Sequence, residues 1–360
     1  MAGAPENHRF IANGNGREEP TPRLAGRPRC EPLTSISETS EADTFPVGAV
    51  RSALKGLYES VLLRGGPAAL SRRRLGNRGL VLAYHNVVED GDQGHGDASL
   101  HLPLHSFRAQ LAALDERAEV VALSALLDST EDREHAPSRE RPRVAITFDD
   151  AYRGAVTLGL PELSRRGMPA TVFVSPGRLG DQTFWWDRCA PEAARRGDSG
   201  FRDTALDELA GVDDDVAKWA TANGWAEDVL PEAYRTVSEA ELAEAARLPG
   251  VTFASHSWSH PNLTKLGDEE LRTELARPRE WLAARFQPSI PYLAYPYGIV
   301  DDRVAAAAAD AGYEAGFRVE GGWLAQGRPP DRFLLPRLNV PAGLSDTGFR
   351  CRLAGLLSRG

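Results

Sequence analysis

Asp149 and Asp150 stand side by side in Arg143-Val144-Ala145-Ile146-Thr147-Phe148-Asp149-Asp150-Ala151, where a short β-branched run ends. Neighbouring side chains on a strand point to opposite faces. Both carboxylates can therefore serve one site only if the backbone bends at the strand's C-terminal end, where open α/β sheets and barrels place their chemistry. The same pair could instead cap a helix expected at 155–166. A second set, His256-Ser257-Trp258-Ser259-His260-Pro261, directly follows the apolar run Val251–Ser255. The i, i+4 spacing suits two imidazoles on one metal, and Pro261 favours a tight turn over a helix continuing through His260. One carboxylate and two imidazoles leave coordination positions open, as a hydrolytic metal site requires. The ion would lower the pKa of bound water and polarise a carbonyl. Tyr295-Pro296-Tyr297-Gly298 ends a third run, and an exposed amide in its turn could face an oxyanion. His85 follows a fourth, Gly79–Tyr84; taken alone, such a histidine more often has a hydrogen-bonded structural role than a catalytic one.

The elements that must carry these groups alternate. Apolar runs at Gly79–Tyr84, 144–148, Ala170–Val174, Val251–Ser255, 292–295, 313–317 and 333–335 read as buried strands, with a further short one at 120–123. Helical spacing falls at 106–118, 155–166, 242–248, 268–285 and 301–311, with Pro278 expected to interrupt the fourth of these. The charged stretch 128–143 reads as an exposed linker. The β-α-β rhythm predicts parallel strands, about seven strand-helix units without a sequence repeat, and a closed or nearly closed β/α barrel. The division expected is a disordered tail over 1–46, a helix and connector over 47–78 with the helix at 47–63, the barrel over 79–345 and a C-terminal tail over 346–360. Within the barrel, 181–248 reads as a largely helical insertion that opens with Phe184-Trp185-Trp186-Asp187.

The 360 residues, 42% hydrophobic and 26% charged, suffice for a sizeable core. A net charge of −9 with scattered arginines carries no nucleic-acid footprint. The three cysteines, Cys30, Cys189 and Cys351, are widely spaced and odd in number, which suits a reducing compartment. No apolar run approaches a membrane span, and the polar opening lacks the apolar region of a secretory signal, so the expected location is the cytoplasm.

In order and spacing, Thr147-Phe148-Asp149-Asp150, His256-Ser257-Trp258-Ser259-His260 and Tyr295-Pro296-Tyr297-Gly298 resemble the motifs of the polysaccharide deacetylases with a NodB-homology domain, carbohydrate esterase family four; the match runs over residues 79–340. The resemblance implies an α/β fold, a distorted (β/α)7 barrel with a helical insertion, and metal-dependent removal of N- or O-acetyl groups from sugars. By position it implies Asp149 as general base, and Asp150, His256 and His260 as ligands of one divalent ion. Zinc is the usual assumption, with cobalt or nickel suited to the same ligands. The Tyr297 amide becomes an oxyanion donor. Two departures stand out. Ala294 or Tyr295 occupies the place of an arginine that orients the base in the family, which leaves Arg337 in Leu335-Pro336-Arg337-Leu338 to supply the guanidinium. No histidine follows His260, so the proton for the leaving amine must come from elsewhere, and His85 is the candidate because it directly follows an expected core strand on the same rim.

Tyr295, Pro296, Trp258 and Trp186 are expected along the saccharide, with rings stacking on sugar faces; anchoring of the insertion in the core is the other reading of Phe184 to Trp186. An N-acetylated saccharide is the implied substrate. Two alternatives are an amidohydrolase acting on a small non-sugar amide and a catalytically degenerate glycan-binding module. Retention of Asp149 beside all three ligand candidates argues against the second, since a pure binder needs no base.

Overall fold

Parallel strands covered by helices are shielded on both faces, which is why their sequences run apolar without alternation. The computed structural model describes Leu75 and residues 78–131, 141–324 and 331–356. In it the runs become β1 (Gly79–Tyr84), β2 (Asn86–Val88), β3 (His101–Pro103), β4 (Glu119–Val120), β5 (Arg143–Phe148), β6 (Ala170–Val174), β7 (Val251–Ser255), β8 (Ser289–Ala294), β9 (Ala315–Gly321) and β10 (Leu335–Asn339). Parallel pairing runs β1-β10-β9-β8-β7-β6-β5, and β5 returns to β1 with a register from Gly79 opposite Arg143 to Tyr84 opposite Phe148. The ring of seven is closed, as the barrel expectation required. β4 lies on the first residues of β5, and β2 pairs with β3 in a separate two-stranded ribbon.

Between β6 and β7 the chain leaves the barrel rhythm for helices at Trp185–Arg196, Asp213–Ala222 and Glu239–Ala245. Aromatic residues of this insertion pack inward: Phe184, Trp185, Phe201 and Trp225 are all buried. Among the described residues no helix is long and apolar enough to cross a membrane.

Several local expectations need correction. The short strand at 120–123 is Glu119–Val120, because a helix, Leu123–Glu131, begins at Leu123 and takes the start of the expected linker. The last strand is Leu335–Asn339 rather than 333–335. Pro278 does not interrupt its helix, which runs unbroken over Asp268–Arg285. A proline inside a helix costs about 3 kcal/mol, but Leu271, Leu275, Pro278 and Leu282 form one buried stripe whose packing outweighs that. The C-terminal segment is no loose tail: Asp346–Leu353 is a helix capped by Ser345, with Phe349, Cys351 and Leu353 buried. The tail over 1–46 and the helix at 47–63 lie outside the described residues.

Candidate active site

The three motif turns share a backbone property. Asp150, Ala151, Ser257, His260 and Tyr297 all adopt positive φ, between 52° and 69°. Side chains resist that region, at roughly 1–3 kcal/mol each, so the fold holds these turns against their local preference. The bend at Asp150 and Ala151 is what lets adjacent carboxylates serve one site. Neither of them caps the following helix. That role falls to Asn86, whose Oδ1 accepts from the amides of Val87 and Ala155 at 2.9 and 3.0 Å.

Asp150, His256 and His260 converge. Asp150 Oδ1 lies 3.4 Å from His256 Nε2 and 3.2 Å from His260 Nε2, and the two Nε2 atoms are 3.2 Å apart. Bonds of about 2.0–2.1 Å to a tetrahedral ion place its ligands roughly 3.3 Å from one another, which is the spacing seen. His256 Nδ1 donates to the Ala294 carbonyl at 2.8 Å, which leaves Nε2 bare toward the other two. Asp150 Oδ1 is buried and has no hydrogen-bond donor. Burial pushes the Asp150 carboxyl up to about 6 and the His260 imidazole down to about 3. A buried carboxylate oxygen without a donor, facing two neutral imidazoles, fits a divalent cation.

Asp149 is held differently. Arg337 Nη1 and Nη2 donate to its Oδ1 and Oδ2 at 2.7 and 2.8 Å, a bidentate pair in which both side chains are buried. Arg337 spends its Nε on the Arg318 carbonyl, and its guanidinium lies over the Phe173 ring. Burial alone would raise the Asp149 carboxyl, but Arg337 and His256 outweigh it and hold it well below the usual carboxylate range. The guanidinium expected from Leu335-Pro336-Arg337-Leu338 therefore does reach Asp149.

These groups open into a cavity of about 250 Å³ lined also by His85, Trp186, Tyr295 and Tyr297. That is close to the lower end for small-molecule sites, roughly 300 Å³. His85 sits among the charged groups, and burial lowers its imidazole. Tyr297 accepts from Trp185 Nε1 at 2.9 Å and donates to the Gly211 carbonyl, tying the turn to the insertion. Tyr295 commits its hydroxyl to the Phe333 carbonyl. Pro296 is buried and does not line the cavity.

Trp258 is not at the cavity either, which corrects its expected stacking role. The Arg277 guanidinium lies 3.6 Å from its ring centroid, and Gly177 backs it so closely that a Cβ there would fall 2.6 Å from its Nε1. Of the aromatic triplet, Phe184 and Trp185 anchor the insertion in the core, and Trp186 alone lines the cavity, 4.9 Å from the His260 ring. Gly298 of the third motif also lines the cavity, as do Asp97, Ser99, Leu100, Arg202, Val319 and Asn339, which were not singled out from sequence. Asp187 was missed as well. Its carboxylate is fully buried and accepts from Asp97 N, from Tyr152 Oη and from His101 Nε2, which makes it the knot between the insertion, the 97–101 loop and the turn after Asp150. The only sequence signal was an acid directly after an aromatic triplet.

A family model described as polysaccharide deacetylase matches residues 136–316, half of the chain. YxkH of Bacillus subtilis strain 168, provisionally named a polysaccharide deacetylase, is 22% identical over 271 residues, which is 75% of this chain and 74% of its own. Among solved structures, IcaB from Ammonifex degensii matches with a TM-score of 0.54 at 18% identity, over 78% of this chain and 98% of its own. The deacetylase PplD of Streptococcus pyogenes, solved with acetate, gives 0.53 at 17% identity, over 77% and 98%. At such identities the two structures speak to the fold, the (β/α)7 barrel.

Proposed function

Since the chain belongs to the polysaccharide deacetylase family and is a hydrolase of amide bonds, we propose that it removes the acetyl group from N-acetylated sugars. The observation that carries this reading is the buried Arg337–Asp149 pair beside the Asp150, His256 and His260 cluster. A glycan-binding module has no use for a base pinned next to a metal site.

Asp150, His256 and His260 would hold a divalent ion, and the character of the donors suits zinc. When bound, that ion supplies Lewis-acid polarisation of the acyl carbonyl and acidifies water. Asp149, kept ionised and fixed in orientation by Arg337, takes the proton of the attacking water. The Tyr297 amide, on its left-handed turn, receives the developing negative charge on the carbonyl oxygen. Trp186 forms a wall against the sugar. Acetate release from N-acetylated oligosaccharides, stopped by a chelator and restored by added zinc, is the expected result. No release from any N-acetylated sugar, with release from a small non-sugar amide, would favour the amidohydrolase alternative.

His85 passes a proton to the leaving amine, its imidazole being protonated only during turnover because burial favours the neutral form at rest. An amine is a far worse leaving group than an alcohol, so loss of the acid should harm amide hydrolysis more than ester hydrolysis. His85→Gln should cut N-deacetylation by roughly 10²-fold or more and release of O-linked acetate by much less, with metal content unchanged. Equal losses on both substrates would assign His85 a structural role.

A further inference from the structure

We propose that Arg202 makes the cavity selective for N-acetylated sugars bearing an anionic group, a carboxylate or a phosphate. The inference rests on the deacetylase reading for its substrate and on elimination for its charge. Of the charged groups lining the cavity, Asp149 is matched by Arg337, Asp150 belongs to the metal set, and Asp97 takes up the amide and hydroxyl of Ser99 at 3.0 and 2.7 Å. Arg202 alone is uncommitted, being exposed and making no hydrogen bond or ion pair among the described residues. Arg178, just before the insertion, and Arg188, within it, differ, since both hold buried Asp213 at 3.0 and 2.8 Å.

The charge is presented on a fixed support. Arg202 belongs to the turn Phe201–Asp203, and Phe201 is buried in a cluster with Trp185, Trp219 and Trp225, the centroids lying 5.6, 5.6 and 4.5 Å away. Trp185 in turn donates to Tyr297, so the turn carrying the cation is coupled to the motif at the metal site. A guanidinium at the mouth of a site matches the planar geometry of a carboxylate or phosphate in two parallel hydrogen bonds. A neutral sugar leaves it in water.

The test compares three N-acetylated substrates with the metal-loaded enzyme: neutral N-acetylglucosamine oligomers, the same oligomers oxidised to end in an aldonate carboxylate, and N-acetylglucosamine 1-phosphate. The enzyme should favour one or both anionic forms in kcat/KM, the better of the two identifying the group, and added salt should erode the preference. Arg202→Gln should lower the anionic-to-neutral ratio by roughly ten-fold, equivalent to about 1.4 kcal/mol, and Arg202→Glu should invert it. A ratio unchanged in Arg202→Gln overturns the proposal. Calorimetric binding of the aldonate and the neutral oligomer separates this from the reaction itself. Tighter aldonate binding that Arg202→Gln abolishes upholds the anion site even if no acetate is released, whereas equal binding of the two ligands rejects it.

Discussion

Asp149→Asn leaves the protein folded and loaded with its ion but reduces acetate release by roughly 10²- to 10⁴-fold, the span that a general base contributes. Metal content should be untouched because the Asp149 oxygens face Arg337, whereas the oxygen facing the two imidazoles belongs to Asp150. Stability moves too, since the variant leaves a buried guanidinium with half its partner; removing one side of a buried pair costs roughly 3–5 kcal/mol, less where a neutral acceptor remains. The double variant Asp149→Asn with Arg337→Met should recover part of that stability and none of the turnover. The native pair also fixes a pH dependence. A carboxyl whose folded pKa is depressed contributes stability that is complete above its unfolded value, about 3.9, and that is lost as pH falls toward the folded value. Thermal unfolding of the native enzyme should therefore shift down on acidification below about pH 4 more steeply than that of the double variant. Loss of metal from Asp149→Asn would exchange the roles of the two aspartates.

His256→Ala should take metal content from one ion per chain to near zero and acetate release to background. His256 is the hinge of the cluster, because its Nδ1 bond to Ala294 aims Nε2 at both Asp150 and His260. Removing it leaves two ligands, too few to compete with water for a divalent ion at ordinary concentrations. Elemental analysis alongside the circular dichroism of the variant makes the check, with His256→Gln as the gentler change of volume. Full occupancy in both variants would move the metal site elsewhere.

What could be read from the chain follows the range over which each rule acts. The Thr147 to Asp150 and His256 to His260 sites were legible because strand end, turn and side chain types sit within a few residues of each other. Arg337 was reachable only by asking what the base lacks, since it lies 188 residues from Asp149 and meets it through barrel closure. The Asp187 knot joins segments near 97, 101, 152 and 187, and its one local trace, an acid after an aromatic triplet, says nothing of those partners. Trp258 was misplaced for a similar reason: an aromatic inside a motif invites a substrate role, but its neighbours Arg277 and Gly177 come from other elements. At Pro278 a sound local rule lost to a packing stripe that only the assembled barrel supplies.

The guanidinium that pairs with Asp149 comes from β10, the last strand of the ring in sequence, which lies between β9 and β1. A ribosome has synthesised Asp149, all three metal ligands and the whole insertion before it reaches residue 337. Until β10 docks, the carboxylate lacks its counter-charge and the seam beside β1 is open. On the proposed mechanism, chains that end before β10 should therefore release no acetate even where Asp150, His256 and His260 have met. Acetate release by nascent or truncated chains would report barrel completion as directly as any spectroscopic probe of folding.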